Sequence, residues 1–306
     1  MSLSMVHLQK STIGRANLVQ RVMRGLSTVA PGLAAMAAEQ LFVTVVQHKR
    51  PRREDAWADG ASRISVPSPH GELVAWVWGD GPNTILLVHG WAGRGLQLGA
   101  FVEPLVDAGY RVVAYDGPAH GESPGRQTNI FKLTEALMAV ADAIGPVAGV
   151  IAHSLGTTAV LLAAYRYGFR PGRFVAVSPM ASTKTMTEHY SRMTGFSPTV
   201  VEEMRARLER SIGFCWDEIE PLNLASTLET ETLVIHDRDD LELPASEGEA
   251  LGSRMPMAAT FFTEGLGHRR ILRDHAAVAA AADFMVRAGA SGVARPTSQA
   301  DAASAA

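Results

Sequence analysis

Val150-Ile-Ala-His-Ser-Leu-Gly156 is the stretch on which the reading of the fold turns. Two β-branched residues, Val150 and Ile151, run into Ala-His-Ser-Leu-Gly, and a small-residue apolar pattern follows from Thr157 to Tyr165. That order reads as strand, sharp turn and helix, with Ser154 at the apex. A turn of the form G-x-S-x-G needs minimal side chains two positions before and after the serine, because the strained backbone crowds its neighbours while lifting the hydroxyl above the sheet. Gly156 meets that demand, and Ala152 departs from it by one methyl group. A serine near glycine is more often a cap for the following helix, so the reading depends on what accompanies it.

Working outward, strands are expected at Arg63 to Val66 and Glu72 to Trp78 around the turn Pro69-His70-Gly71, then at Ile85 to Val88, Arg111 to Tyr115, Phe174 to Val177, Thr232 to His236 and Thr260 to Phe262. Helical patterns lie between them, among them Phe131 to Ile144, stopped by Gly145-Pro146. Mostly apolar strands alternating with helices imply an α/β fold with a largely parallel sheet covered on both faces. One interval, from Ser178 to Leu228, has no strand. Within it Ser197-Pro198 opens a helix to Ile212 with Val200, Met204, Leu208 and Ile212 on one stripe. Glu202 and Glu203 come early, arginines come late, and Gly213 closes the helix, as its dipole and its end geometry favour.

These signals divide the chain into an N-terminal helical extension and linker (1–60), a first core segment (61–182), an inserted helical cap (183–228), a second core segment (229–290) and an Ala, Ser and Thr-rich tail (291–306) expected to be disordered. The cap is expected to line a substrate pocket with Met186, Met193, Phe196 and Trp216, although apolar residues at such spacing are ordinarily plain packing. Two helices are expected between Thr12 and Gln47, the second opening at Pro31. Leu33, Met36, Ala37, Phe42 and Val45 can share parts of one face of it. The simpler expectation is a helix packed on its own domain or a partner. The alternatives are an active-site cover or a membrane-surface anchor, and the second helix carries too few basic residues for the anchor.

The 306 residues are 47% hydrophobic, enough for a large core, and the formal net charge of -3 gives no electrostatic case for nucleic acid. The one basic cluster, His48-Lys49-Arg50-Pro51-Arg52-Arg53, runs at once into Glu54 and Asp55 and reads as a solvated linker. Cys215 is the only cysteine, which excludes an intramolecular disulfide and a Cys-rich zinc site and fits a cytoplasmic setting. Pro31, Glu39 and Gln40 interrupt the apolar segment from Leu26 to Val46, making it a poor membrane span and an untidy signal peptide. No membrane association is therefore expected.

A serine hydroxyl barely ionises at neutral pH, so it needs a base in hydrogen-bond reach and a third group to orient that base. In His236-Asp-Arg-Asp-Asp240, Asp237 is read as hugging the strand end and Asp239 as facing solvent or Arg238, leaving Asp240 as the acid. The base is His268, after the last strand in Thr263-Glu-Gly-Leu-Gly-His-Arg-Arg270; the surroundings of His275 read as helix. Two backbone NH groups would hold an oxyanion, those of Leu155 and Trp91, with the Trp91 indole walling the acyl side. His89, His120 and His153 lie beside turns and read as hydrogen-bonding struts.

Leu87-Val-His-Gly-Trp91, Tyr115-Asp-Gly-Pro-Ala-His-Gly-Glu-Ser123, Ala152-His-Ser-Leu-Gly156, His236-Asp-Arg-Asp-Asp240 and Gly265-Leu-Gly-His268 resemble, in order, the marks of the α/β-hydrolase fold. The likeness covers roughly Arg63 to Gly289. It implies that Ser154, Asp240 and His268 are nucleophile, acid and base, that Trp91 and Leu155 form the oxyanion hole, and that a small acyl substrate is cleaved without metal or organic cofactor. Carboxylic ester cleavage is the first expectation, with thioester or amide cleavage as the alternative on the same triad. The Asp-Arg-Asp-Asp and Gly-Leu-Gly-His-Arg-Arg wording resembles an uncharacterised bacterial subgroup with an N-terminal helical extension. Ala152 and the N-terminal helices depart from the shared pattern.

Two rivals come from other classes. Gly93-x-Gly95-x-x-x-Gly99, followed by Asp116 after the next strand, mimics a dinucleotide-binding turn, but the spacing is not G-x-G-x-x-G and His89-Gly90-Trp91 intervenes. A hydrolase-fold binding module without catalysis would be expected to have lost one of the candidate groups. An Asp nucleophile, as in dehalogenases or epoxide hydrolases, is disfavoured because serine stands at 154.

Overall fold

Eight strands pair into one sheet in the order β1-β2-β4-β3-β5-β6-β7-β8. They are β1 (Ser62–Val66), β2 (Leu73–Trp78), β3 (Thr84–Val88), β4 (Arg111–Tyr115), β5 (Val147–His153), β6 (Arg173–Val177), β7 (Thr232–Asp237) and β8 (Ala258–Thr263). The computed structural model describes residues 18–287, so the expected disorder of 291–306 falls outside the described residues. β1 and β2 form the antiparallel hairpin, with Ile64 opposite Ala75, and β2 also runs antiparallel to β4. All remaining pairs are parallel. The inner parallel strands are apolar on both faces because both faces are covered, every residue of β3 and β7 being buried, while β8 at the edge is partly exposed.

The helices are α1 (18–29), α2 (Pro31–Val43), α3 (Asp55–Asp59), α4 (Val102–Asp107), α5 (Ile130–Ile144), α6 (Leu155–Tyr167), α7 (Thr183–Thr194), α8 (Pro198–Ile212), α9 (Pro221–Ala225), α10 (Ala245–Arg254), α11 (Gly267–Arg270) and α12 (His275–Val286). Leu137 and Val140 of α5, Val160 of α6 and Leu251 of α10 fill the core on one face of the sheet. Leu105 of α4, Ala281 of α12 and Phe101 before α4 fill it on the other. Side chains fix where several helices begin. The Asn129 carboxamide takes the Lys132 amide at 3.0 Å, and the Asp274 carboxylate takes those of Ala276 and Ala277, each at 3.0 Å.

The segment between β6 and β7 carries α7, α8 and α9. Ser197 caps α8, Pro198 occupies its first turn, and Gly213 ends it in the left-handed region at φ +77°. Val200, Met204 and Leu208 are buried as one stripe. The N-terminal helices dock on this insertion. Tyr190 of α7 donates to the Ala38 carbonyl at 2.8 Å, Arg207 of α8 pairs with Glu39 at 2.7 Å, and the Ser197 amide donates to Ser27 Oγ at 3.2 Å.

The buried face of α2 corrects part of the expected one: Ala37 and Phe42 pack against the core and Val45 after the helix is buried, but two of the expected residues face outward. Ala34, Ala35 and Ala38 are fully buried, whereas Leu33 and Met36 are 62% and 49% exposed. Alanines let the backbones of α2 and α8 approach closely, which larger side chains would prevent. The basic stretch after α2 is likewise more than a solvated linker. Arg50 bridges Asp55 at 3.0 Å and Glu122 at 3.1 Å, and the buried Glu54 carboxylate takes Arg94 by both its Nε and, at 2.8 Å, its Nη2. Among the described residues no helix is long and apolar enough to cross a membrane.

Candidate active site

Ser154 sits between β5 and α6 with φ +52° and ψ -124°, a conformation that L-residues adopt at a cost of roughly 1–3 kcal/mol. The surrounding backbone over-determines it. The Ser154 amide continues the β5–β6 ladder to the Val177 carbonyl at 3.0 Å, and the Thr157 amide closes the turn on the Ser154 carbonyl at 2.9 Å. Gly156 has no room for a side chain, since a Cβ there would lie 2.6 Å from the His89 carbonyl oxygen. Ala152 is fully buried in mid-strand opposite Val88 and Ala176. The contact that forbids a methyl at 156 is backbone, and the extra methyl at 152 is accommodated by side-chain packing.

β7 and β8 deliver the other two groups. His268 Nδ1 lies 2.7 Å from Asp240 Oδ2, and both side chains are buried. The second carboxylate oxygen of Asp240 accepts the amides of Glu242 at 2.8 Å and Leu243 at 2.9 Å. Burial opposes charge on Asp240, but the polar neighbours His236 and His268, the latter's charge and the Leu243 amide prevail, holding the carboxyl below the usual carboxylate range. Asp237 serves the loop instead, its two oxygens taking the Gly267, Leu266 and Asp239 amides and the Thr263 hydroxyl. Asp239, although exposed, accepts the Gly265 amide at 2.8 Å rather than pairing with Arg238. Asp237 and Asp239 thus tie down the glycine-rich loop that carries His268. His275 begins α12 and is exposed.

Three buried histidines brace this centre. His89 Nδ1 donates to the Gly90 carbonyl at 2.7 Å, while its Nε2 accepts the Gly117 amide at 2.9 Å. His120 Nδ1 donates to the Pro118 carbonyl at 3.0 Å and its Nε2 accepts the Ala92 amide at 3.0 Å. Each must be neutral to serve as donor and acceptor at once. Burial, and then the neighbouring His120, lowers the pKa of His89 to about 3, and burial lowers that of His120 to about 4. His153 Nε2 donates to the His268 carbonyl at 3.0 Å. All three are the struts expected of them, and two of them flank the loop that carries Trp91.

That loop lies against the serine. A Cβ on Gly90 would come within 2.9 Å of the Ser154 Cβ, so only glycine lets the Trp91 segment approach so near. Among the described residues neither the Trp91 nor the Leu155 amide has a protein acceptor. The glycines that mimic a dinucleotide turn are explained by packing: a Cβ on Gly95 would lie 2.9 Å from the Tyr115 backbone, and one on Gly99 would enter the Trp57 ring. Asp116 is spent inside the protein, its oxygens taking the Gly95 amide at 2.8 Å and the Glu122 amide at 2.6 Å.

A mainly apolar cavity of about 370 Å³ opens onto Ser154, His268, Trp91 and Leu155. Met186, Met193 and Trp216 from the insertion line it; Phe196 does not, being buried against Tyr190 with ring centroids 6.3 Å apart. Phe196 turns inward because it follows the left-handed Gly195 that closes α7. Val43 of α2 and Ile130 and Phe131 of α5 form walls outside the expected pocket set, and Phe42, expected on the apolar face of α2, joins them. Aromatic contacts stitch those walls together, Phe42 meeting Tyr190 edge-on at 5.1 Å and Phe131 meeting Phe214 at 5.2 Å. The other unforeseen residue is His236, fully buried behind Asp240, whose Nε2 donates to the Leu243 carbonyl at 3.0 Å and stands 3.4 Å from Asp240 Oδ2. Only glycine at 248 lets α10 cover it, since a Cβ there would lie 2.6 Å from its Nδ1.

A strained serine on a strand-to-helix turn, beside a histidine–carboxylate pair at the carboxyl ends of a parallel sheet, defines the class of α/β hydrolases. The chain belongs to the alpha/beta hydrolase family, whose model matches residues 85–281. Over 179 residues it is 31% identical to a serine hydrolase-like protein of Danio rerio, covering 54% of this chain and 47% of that one. It is 32% identical over 133 residues to the dihydrolipoyllysine-residue acetyltransferase component of the acetoin cleaving system of Pseudomonas putida, covering 40% of this chain and 35% of that one. The matches therefore span half or less of these curated relatives. An esterase from Pyrococcus furiosus superimposes with a TM-score of 0.60 at 17% identity, covering 79% of this chain and 98% of that one, a likeness of fold.

Proposed function

We propose that the protein is a serine hydrolase that cleaves an acyl ester through Ser154, His268 and Asp240. The observation that carries this reading is the 2.7 Å bond from His268 Nδ1 to Asp240 in a cavity shared with the strained Ser154. With Nδ1 bound to the carboxylate, Nε2 of His268 is left as the proton acceptor for the serine hydroxyl. Ser154 Oγ attacks the acyl carbonyl as His268 takes its proton, and the oxyanion is held by the Trp91 and Leu155 amides. The intermediate collapses as His268 returns that proton to the leaving oxygen, giving an acyl-enzyme and free alcohol. Water, deprotonated by His268, then attacks the acyl carbonyl and releases the acid and Ser154.

The apolar walls from α2, α5, α7 and α8 suit a hydrocarbon acyl group. The same triad would accept a thioester or an amide, so an acyl panel with ester, thioester and amide leaving groups tests the reading. Ester turnover that falls ~10⁶-fold in Ser154→Ala, the scale of loss when other serine nucleophiles are removed, supports it. Turnover undiminished by that substitution contradicts it.

A further inference from the structure

Beside the apolar chamber lies a second recess, of about 190 Å³, that the ester reaction does not use. Lys49, Arg53, Arg94, Arg269 and Arg273 line it with a single carboxylate, Glu54. These cations come from three separate parts of the chain: the stretch after α2, the loop after β3, and α11 with the turn following it. Glu54 is committed to Arg94, and Arg269 leans on Glu242 at 3.1 Å from the rim. Among the described residues no carboxylate stands within ion-pair distance of Lys49, Arg53 or Arg273. Five cations line this one hollow, Arg94 buried and the other four exposed, in a chain of net charge -3.

The two hollows adjoin, sharing Ala92, Gln97 and Arg269 as walls. Ala92 follows Trp91, and Arg269 follows His268. In the proposed reaction His268 hands its proton to the leaving atom, so the leaving group departs on the side of the base, while the hydrocarbon chain occupies the chamber under α2, α7 and α8. The recess adjoins the chamber at Ala92 and Arg269, next in sequence to Trp91 and His268, on the side to which that leaving group would project. Arginine forks and a lysine grouped round one hollow are the donors that phosphate oxygens favour.

We propose that this recess is a phosphate-binding subsite and that the preferred substrate is an acyl ester or thioester whose leaving group carries a phosphate. The inference rests on the Ser154 reading for its placement and not for the recess itself. The Glu54–Arg94 pair fixes Arg94, and Lys49, Arg53 and Arg273 are left to the ligand.

The test compares substrates with one acyl chain and three leaving groups, p-nitrophenol, coenzyme A and lysophosphatidate-type glycerol phosphate, on the wild-type protein and on Lys49→Gln/Arg53→Gln/Arg273→Gln. The ratio of kcat/KM for a phosphate-bearing substrate to that for the p-nitrophenyl ester is expected to drop about tenfold or more in the triple variant, because charge-assisted bonds to phosphate are lost. A drop confined to the thioester identifies a nucleotide-thiol source, a drop confined to the glycerol phosphate identifies a lipid headgroup, and either supports the subsite. An unchanged ratio, or turnover of the neutral ester alone, overturns it. If no ester is hydrolysed, the fault lies with the Ser154 reading, and inorganic pyrophosphate decides the recess by calorimetry. Binding that is lost in the triple variant sustains the subsite, and no binding to the wild-type protein rejects it.

Discussion

His268 and Asp240 meet at 2.7 Å although 28 positions separate them, and the meeting is prepared from behind. One Asp240 oxygen is saturated by the Glu242 and Leu243 amides, leaving the other directed at the imidazole, with His236 3.4 Å away on its far side. Asp240→Asn keeps the shape but removes the charge and offers the imidazole the wrong partner. A fall of ~10³- to 10⁴-fold in kcat is expected, as for other triads whose acid becomes an amide. Steady-state ester hydrolysis with the folded variant checks this, and a loss of only a fewfold would mean that Asp240 does not orient the base.

The histidine struts predict an early acid instability. An unfolded histidine titrates near 6.5, whereas burial holds His89 to about 3 and His120 to about 4. Because the folded state refuses protons that the unfolded chain accepts, the stability due to each group is fully present above 6.5. It is lost as pH falls through the window down to those folded values, by up to about 1.4 kcal/mol per pH unit per histidine. Burial and the nearby His268 charge push His153 the same way. Urea unfolding from pH 7.5 to 4.5 should therefore show stability falling well above the carboxylate range, with a shallower slope in His120→Gln. A flat profile down to pH 5 would contradict the neutral-strut assignment.

Glu54 joins the N-terminal segment to the loop beyond Trp91 through a two-pronged bond to Arg94, with the Glu54 side chain 1% exposed. Glu54→Ala leaves a largely buried guanidinium without its counter-charge, for which about 3–5 kcal/mol of destabilisation is expected. Chemical denaturation measures it. A loss under about 1 kcal/mol, the range of exposed pairs, would show that water replaces the carboxylate.

Gly156 and Ala152 should respond in opposite ways to a one-methyl change. Gly156→Ala drives a methyl to 2.6 Å from the His89 carbonyl, so esterase activity should collapse as the turn is displaced. Ala152→Gly removes a buried methyl from mid-strand, and the expected result is a loss of about 1 kcal/mol in stability with no gain in activity. Thermal melts and kcat of the two variants separate the cases; equal effects at both positions would mean that the turn is not held by β3.

The sheet was legible in the sequence because its inner parallel strands are short apolar runs bounded by glycine, proline and aspartate, and because Ser154, Asp240 and His268 each follow a strand of the sheet. Turn position alone favoured Asp240 over Asp237 as the partner of His268, and the two lie 2.7 Å apart. What stayed hidden was tertiary. The Ala34, Ala35 and Ala38 face of α2 buries no large side chain, so an apolar count favoured Leu33 and Met36, which are exposed. Phe196 and Met193 are equally apolar in the sequence, and only the turn at Gly195 sends the first into the core and leaves the second on the cavity. Lys49 and Arg53 read as solvated and are exposed, but the recess they share stayed hidden because its other cations, Arg94, Arg269 and Arg273, lie far away along the chain. His236 carried a faint signal, a histidine ending a buried strand four residues before the acid.

The central claim is that Ser154 is the nucleophile. Treating the protein with a fluorophosphonate and mapping the adduct by peptide mass spectrometry tests it most directly. One phosphonyl group on the peptide containing Ser154, absent from Ser154→Ala, is the predicted result. An adduct on another residue, or none on a protein that still hydrolyses the ester, would contradict it.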